Sequence, residues 1–576
     1  MTFTLAVAAG TEAVDELRRS RGEQIRLGQV EWVRSGPHVV AWDARCPWID
    51  VADDGDVLVV IDGRLHEPVS ASGDAIFIQR RYGRAGAAVA RDLLGDFVAV
   101  ILDRSRQRLV VARDPVGVRP WYHSTAGRRH TGASDVATLA SLDWVDTSLN
   151  EHVAIEYLAT ITESRGETFH RGIRTLGPGS TWQSAGGVFH TFEHHTWQLE
   201  PELDLSWDDA AARCRSVLDT AVRSRLGGGG RATSELSGGL DSSSVVGTAV
   251  LLGHDDLLVG RLLFEGQQAD ERAYSDAVIE RWGLEAISVP PWLPSAEECE
   301  DLGRVLQRPV PDPHFTMFST LQRALVAAGG ARGLTGAGGD DAFVAMRTGA
   351  MVVSAVKLRQ RRVLADLARR TLGAPRQAGP ALVRPTLGYL AEPWRTPKIG
   401  AWVSDAAAAA AQLSDRLRRR PERVTGIDAI DERLDGLTSG FMAAIFETRA
   451  LVADETGKRD SHPFLDPRFV SATYGLDPWW PVRGGHYRAL EAHAFRDRLP
   501  SLVADRLTKA GFAEVFWPAL LDDQVTGRVR TGELAQLGWL DGDGFDTLVE
   551  NAKRGMANAA IPLARCVLLD QWISRG

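Results

Sequence analysis

A chain of 576 residues is too long for one hydrophobic core, so two or three domains are expected. Hydrophobic residues at 44% and charged residues at 24% are ordinary for a globular protein, and a formal net charge of −9 argues against a general nucleic-acid binder. Four scattered cysteines (Cys46, Cys214, Cys299, Cys566) without CxxC spacing give no zinc site and fit a reducing cytoplasm, and no run of 18 apolar residues offers a membrane span.

The opening stretch, Met1-Thr-Phe-Thr-Leu-Ala-Val-Ala-Ala, is apolar but short and has no basic leader, so it reads as a first strand rather than a signal peptide. Residues 1–195 are strand-rich. Val57 to Ile61 is an apolar strand ending at the turn around Gly63, and Asp96–Asp103 and Arg108–Arg113 flank Arg104-Ser-Arg-Gln107 as a hairpin. The segments Arg113-Asp-Pro-Val-Gly-Val-Arg-Pro-Trp-Tyr122 and Thr168-Phe-His-Arg-Gly-Ile-Arg-Thr-Leu-Gly-Pro-Gly179 follow. Residues 196–206 are polar and acidic, a linker by composition. From Trp207 to about Arg225, apolar positions recur at helical spacing, and Gly227 to Gly230 breaks the helix.

Next comes Glu235-Leu-Ser-Gly-Gly-Leu-Asp-Ser-Ser-Ser244, between an apolar residue and the apolar run Val245–Leu252. This predicts a strand, a tight glycine turn and a helix. A helix N-terminus presents free N–H groups to an anion, Gly238 and Gly239 let the backbone approach it, and Ser237, Ser242 and Ser243 add hydroxyl donors. Asp241 repels phosphate and makes sense instead as a Mg²⁺ ligand beside it. No Gly-Lys-Ser/Thr follows, so the pattern is not a Walker loop. A plain Ser/Gly-rich turn is the alternative.

The strand-then-helix rhythm continues. Leu257–Phe264 and Ala286–Val289 read as strands, a helix begins near Asp270-Glu271, and Thr316–Ala328 is helical. Gly333-Leu-Thr-Gly-Ala-Gly-Gly-Asp-Asp-Ala-Phe343 is a second glycine-rich turn at a strand end. Such alternation implies a parallel sheet whose ligands bind at the carboxyl ends of its strands, and both glycine turns, with Thr335 and Gly336 in the second, the Asp270-Glu271 pair and the strand-end residue Phe264 fall there. Two basic helical stretches follow, one with Lys357, Arg359, Arg361, Arg362, Arg369 and Arg370, the other with Arg416, Arg418, Arg419 and Arg420. They read either as solvated faces or as a docking surface for an acidic partner. Trp479 and Trp480 read as core, with the border of an acceptor pocket as the alternative.

Taken together these segments resemble the class B asparagine synthetases. Gly95-Asp96-Phe97, the Arg113–Tyr122 segment and the Thr168–Gly179 segment are similar, in order, to that family's glutaminase domain. Ser237–Ser243 resembles its pyrophosphate loop, and Thr335–Asp341 its second signature. His462-Pro-Phe-Leu-Asp466 and Asp505-Arg-Leu-Thr-Lys-Ala-Gly-Phe512 resemble its closing elements. The resemblance implies an N-terminal-nucleophile (Ntn-type) glutaminase-like sandwich over residues 1–195. It implies a parallel-sheet ATP-pyrophosphatase domain with helical insertions, an α/β unit, over residues 196–576. It further implies ATP and Mg²⁺ as cofactors, Asp340 as a second Mg²⁺ ligand beside Asp241, and Lys509 as the lysine that reaches the α-phosphate and pyrophosphate. Thr335 and Gly336 would line the nucleotide. The family's nucleophilic cysteine at position 2 is Thr2 here, so a glutaminase-like domain without glutaminase activity is expected.

The shared chemistry of the family is carboxylate activation: ATP yields an acyl adenylate, an amine attacks, and AMP and pyrophosphate leave. Asparagine synthetase carries a glutamate where this chain has Ala337, and β-lactam synthetase a tyrosine. The missing cysteine, the Gly-Gly-Asp-Asp variant, the small Ala337 and the basic helical insertions look most like a lasso peptide cyclase. Such an enzyme joins a peptide's N-terminal amine to an Asp or Glu side chain. An α-amine, with a reference pKa of about 7.7–8.0, needs less help from a base than an amide nitrogen. The expected partners are a precursor peptide and, with it, a leader-binding protein and a leader protease; neither nucleic acid nor membrane is expected. The alternative is an amide ligase acting on a small amino acid.

Overall fold

The computed structural model describes residues 5–20, 29–66, 73–161, 164–185, 187–227, 231–267, 269–291, 295–310, 317–343, 354, 356, 399–417, 424–480, 488–506 and 521–574. Thr2, Lys509, the basic positions from Lys357 to Arg370, and Arg418 to Arg420 lie outside these residues.

Twelve described strands precede residue 194: β1 (Leu5–Ala9), β2 (Val30–Ser35), β3 (His38–Asp43), β4 (Ile49–Asp53), β5 (Val57–Leu65), β6 (Gly95–Asp103), β7 (Arg108–Arg113), β8 (Tyr122–Ala126), β9 (Arg129–Ala133), β10 (Arg174–Thr175), β11 (Ser180–Ala185) and β12 (Val188–Glu193). They form two antiparallel sheets, in the orders β10-β8-β9-β1-β3-β2 and β12-β11-β7-β6-β5-β4. The apolar run Val57–Ile61 follows from its place in the middle of this stack. Side chains alternate along a strand, so Leu58 and Val60 meet Val98 and Val100 of β6 and Val7 of β1 between the sheets. Val59 and Ile61 turn outward onto α1 (Asp74–Ala85) through Ile78 and Tyr82. The result is helix, sheet, sheet, helix, as the glutaminase-like resemblance implies.

The later half holds a five-stranded parallel sheet in the order β15-β14-β13-β16-β17. Its strands are β13 (Arg231–Glu235), β14 (Leu258–Leu262), β15 (Glu285–Val289), β16 (Gly330–Leu334) and β17 (Arg459–Ser461). The central strand β13 is polar in sequence yet buried. Thr233 Oγ1 donates to the Arg332 carbonyl at 2.8 Å and Ser234 Oγ to that of Leu334 at 3.3 Å, which satisfies hydroxyls that would otherwise be stranded. Helices α2 (Trp207–Leu226), α3 (Leu240–Leu251), α4 (Arg272–Trp282) and α5 (Ser319–Ala327) cover its faces. Short α6 (Gly339–Phe343) leaves the second glycine turn, and the long α7 (Gly440–Thr456) precedes β17.

Two expectations are modified. Residues 196–206 are irregular but not a loose linker, because Leu199 is buried in the later half's core and Glu202 bridges Leu476. Arg416 is not part of a docking face. Its Nη1 donates to Glu156 at 2.7 Å and to Glu167 at 3.1 Å, tying a C-terminal helix to the first half. Trp479 is buried and Trp480 packs on Trp207, so both belong to the core, and neither lines the cavity described below. Among the described residues no helix is long and apolar enough to cross a membrane.

Candidate active site

The carboxyl ends of β14, β13 and β16 open into a cavity of about 470 Å³. β13 ends at Glu235, the chain turns through Ser237–Gly239, and α3 starts at Leu240 with Gly239 as its N-cap. Gly238 sits at φ +86°, and a Cβ there would lie 2.6 Å from the Ser275 amide, so both conformation and space require glycine. The turn is braced internally: Ser237 Oγ and Ser242 Oγ are 3.1 Å apart, and the Ser237 N–H donates to Ser242 Oγ at 3.2 Å.

The second glycine turn, between β16 and α6, packs directly on the first. A Cβ on Gly336 would stand 2.6 Å from the Ser242 amide and 2.8 Å from Asp241 Cβ, and one on Gly339 would collide with the Asp241 carboxylate. The absence of side chains at these positions therefore brings Asp241 and Asp340 to one place. Their meeting point is filled by a guanidinium. Arg488 Nη2 contacts Asp241 Oδ1, Arg488 Nη1 lies 3.5 Å from Asp340 Oδ1, and Arg488 Nε lies 3.0 Å from Glu491 Oε2. Arg488 is 4% exposed and adopts the left-handed φ of +62°, a conformation that costs energy outside glycine and is held here by its three carboxylates.

Of the residues expected at this site, Ser237, Gly239, Asp241 and Ser242 line the cavity from the first turn. Gly336 and Asp340 line it from the second, with Ala337 between them and Phe264 at the opposite, apolar end beside Leu262, Met317 and Phe318. Gly238, Ser243 and Thr335 do not line it. Thr335 is buried, with its Oγ1 2.7 Å from His462 Nδ1, which gives the departure to histidine at position 462 a structural partner. Burial pushes the His462 imidazole down to about 4, and the nearby Arg449 pushes the same way. Glu271 lines the cavity, paired with Arg506 at 2.5 Å, whereas Asp270 does not.

Two carboxylates sharing one cation form the donor set that a hard divalent ion beside phosphates requires; Mg²⁺ takes one or two carboxylates and completes its shell with phosphate oxygens and water. Among the described residues no group of three or more His, Cys, Asp or Glu side chains converges as a self-sufficient metal site.

Sequence reasoning missed Arg488, which sits in the unremarkable stretch His-Tyr-Arg-Ala-Leu. It also missed the role of Glu235. That carboxylate takes Arg449 Nη1 and Nη2 at 3.2 Å each and the Gln322 amide at 2.7 Å, and Gln322 reaches on to Asp460 at 2.8 Å. Arg449 comes from α7, which divides three cavities. Phe441, Met442 and Ile445 face the 470 Å³ cavity; Gly440, Ala444 and Glu447 face one of about 390 Å³; Phe446, Ala450 and Ala453 face one of about 530 Å³ between the two halves.

Residues 213–574 match the family model described as asparagine synthase, well over half of the chain, and residues 64–195 match the glutamine amidotransferase domain model. Among curated proteins, the chain is 25% identical over 361 residues to the amidase chry2 of Gibberella zeae, covering 54% of this chain and 52% of that protein. It is 27% identical over 165 residues to asparagine synthetase [glutamine-hydrolyzing] 3 of Bacillus subtilis, covering 28% and 26%. These matches thus span about half or less of the relatives' length. Among solved structures, the glutamine phosphoribosylpyrophosphate amidotransferase of B. subtilis complexed with ADP and GMP aligns over 53% of this chain and 87% of its own, at 10% identity and a TM-score of 0.22.

Proposed function

The chain belongs to the asparagine synthase family, and from that premise we propose that it is an ATP-dependent, AMP-forming amide ligase whose substrate is a peptide. In this reading it adenylates an Asp or Glu side chain of a precursor peptide and joins it to the peptide's N-terminal amine, as a lasso peptide cyclase does. The observation that carries the proposal is the packing of the two glycine turns, which puts Asp241 and Asp340 on one cation beside the N-terminus of α3.

The Ser237 and Ser242 hydroxyls and the first-turn N–H groups of α3 donate to the phosphate oxygens of ATP, and the apolar end around Phe264 and Met317 takes the base. Asp241 and Asp340 would hold Mg²⁺, whose charge offsets that of the triphosphate. A carboxylate oxygen of the peptide attacks the α-phosphorus and the bond to pyrophosphate breaks. The amine nitrogen then attacks the acyl carbon, the bond to AMP breaks, and the nitrogen gives up a proton. By the family resemblance Lys509 reaches the charge that develops at phosphorus. The methyl group of Ala337 leaves room for a peptide at the cavity wall. A leader-binding protein and a leader protease are the partners, and the cytoplasm the setting, that this function calls for.

The test is incubation with ATP, Mg²⁺ and a leader-free peptide carrying an N-terminal glycine and an acidic residue several positions later, read by mass spectrometry. Loss of one water with the wild type but not with Asp241→Ala supports the proposal. Free asparagine or a β-lactam as product would replace it with a small-molecule ligase.

A further inference from the structure

The cavity of about 530 Å³ between the two halves is faced by five guanidiniums, Arg64 and Arg119 from the first half and Arg332, Arg449 and Arg459 from the second. Arg119 and Arg459 share the carboxylate of Asp62, Arg119 through Nη2 at 2.8 Å and Arg459 through its own Nη2. Their side chains are only 7% and 12% exposed. Arg119 Nε and Arg459 Nε and Nη1 are buried and, among the described residues, have no hydrogen-bond acceptor. An orphan Nε recurs on several arginines, but among the described residues a buried terminal nitrogen without an acceptor occurs only on Arg225 and Arg459. Such a donor is costly, so Arg459 Nη1 at a cavity wall points to an acceptor that enters from outside the chain.

Four carboxylates line the same cavity, each with a hydrogen-bond or ion-pair partner of its own, against five guanidiniums. Asp50 accepts the Ala75 N–H at 2.9 Å, Asp74 the Leu65 N–H at 3.0 Å, and Asp460 is held by Lys458 and Gln322. Asp96 pairs with His66 at 3.4 Å. Asp454 also lends negative charge to both Arg119 and Arg459. Arg64 and Arg332 converge on a single acceptor, the Gly227 carbonyl, an arrangement that leaves two like charges side by side. Burial, followed by the neighbouring Arg64, lowers the Arg332 guanidinium from its usual range. The Trp48 ring lies 5.1 Å from the Arg459 guanidinium and forms a flat wall.

We propose that this cavity is a second ligand site that takes a small oxyanion, a carboxylate or a phosphate group, bridged between Arg119 of the first half and Arg459 of the second. The site is separate from the nucleotide cavity, with Arg449 as the described residue that lines both. It stands independently of the proposed ligase reaction, since its donors belong to neither glycine turn.

The experiment is calorimetric titration of the full chain with inorganic phosphate and, separately, with glutarate, at an ionic strength fixed with chloride, alongside melting curves. Saturable binding with a rise in melting temperature of about 2–4 °C is expected. Arg459→Lys keeps a cation for Asp62 and removes both orphan donors, so it should weaken binding about tenfold or more. Arg119→Lys, a second variant in case the first folds poorly, should do the same. Ser242→Ala in the first glycine turn, where phosphate but not glutarate has its own proposed donors, should leave glutarate binding intact. Preference for phosphate or for glutarate identifies the kind of anion. Absence of binding by both anions, glutarate binding that survives both lysine variants, or glutarate binding that Ser242→Ala removes would overturn the proposal; phosphate binding counts only where the lysine variants weaken it.

Discussion

Arg488 shows how far a single side chain decides the resting state of the site. Its guanidinium compensates Asp241, Asp340 and Glu491 at once, so Arg488→Met leaves carboxylates facing one another. The expected cost is roughly 1–3 kcal/mol of stability without nucleotide, with Mg-ATP restoring much of it; urea unfolding with and without Mg-ATP measures both. His462 gives a second residue-scale prediction. Its folded pKa of about 4 lies below that of an unfolded histidine, so the unfolded chain binds more protons between the two values. The stability it contributes is full above about pH 6.5 and is lost as pH falls towards 4, roughly 3 kcal/mol at most. His462→Gln should therefore flatten the stability–pH curve in that window. Ser237 and Asp241 were legible as cavity-lining residues because the first glycine turn is one continuous segment; Asp340 entered through the family resemblance, since its meeting with Asp241 joins turns far apart in the chain. Arg488 and Arg449 were not, because each reaches the site from a distant helix or loop and nothing in its local sequence marks it.

Among the elements, α7 carries the most constraint. Its buried residues, among them Met442, Ile445, Phe446, Thr448 and Val452, fall on several faces, which is why its sequence shows no clean polar stripe, and it separates three cavities. Arg449 is its plug between the 470 Å³ and 530 Å³ spaces, pinned by Glu235 at the end of β13 and 3.5 Å from Asp460 in β17. In the proposed reaction an acyl adenylate forms and water would destroy it, so a gap here would divert it. Arg449→Met, in protein that still melts cooperatively, should raise the ratio of AMP formed to amide formed several-fold; an unchanged ratio would mean that the pair only braces the sheet. The parallel sheet itself was legible from the strand–helix rhythm. The five residues of β13 were the faint part, since Thr233 and Ser234 are buried by hydrogen bonding to β16 rather than by apolar character.

At the scale of the whole molecule, charge joins the two halves. Arg225 at the end of α2 pairs with Asp466 at 2.6 Å and lies 3.7 Å from Asp96 of β6, all deeply buried. Burial alone would raise the Asp96 carboxyl, but His66 and Arg225 hold it down at about 2. Arg225→Met leaves two buried carboxylates with less compensation and should cost about 3–5 kcal/mol, read from denaturant unfolding. The two-part architecture was legible because the first 195 residues read as short apolar strands and a hairpin, and the later ones as strand–helix alternation. This cross-half network was not, because pairing between residues 225, 96 and 466 leaves no trace in any one segment.

If a carboxylate is activated as an adenylate in the cavity of Asp241 and Asp340, one of its oxygens ends in AMP. The most direct measurement uses a peptide whose acidic side chain carries ¹⁸O in both carboxylate oxygens, with the AMP released during amide formation analysed by mass spectrometry. Activation as an adenylate leaves one ¹⁸O atom in AMP per amide formed. ¹⁸O in inorganic phosphate with formation of ADP, or amide formation with unlabelled AMP, would contradict it.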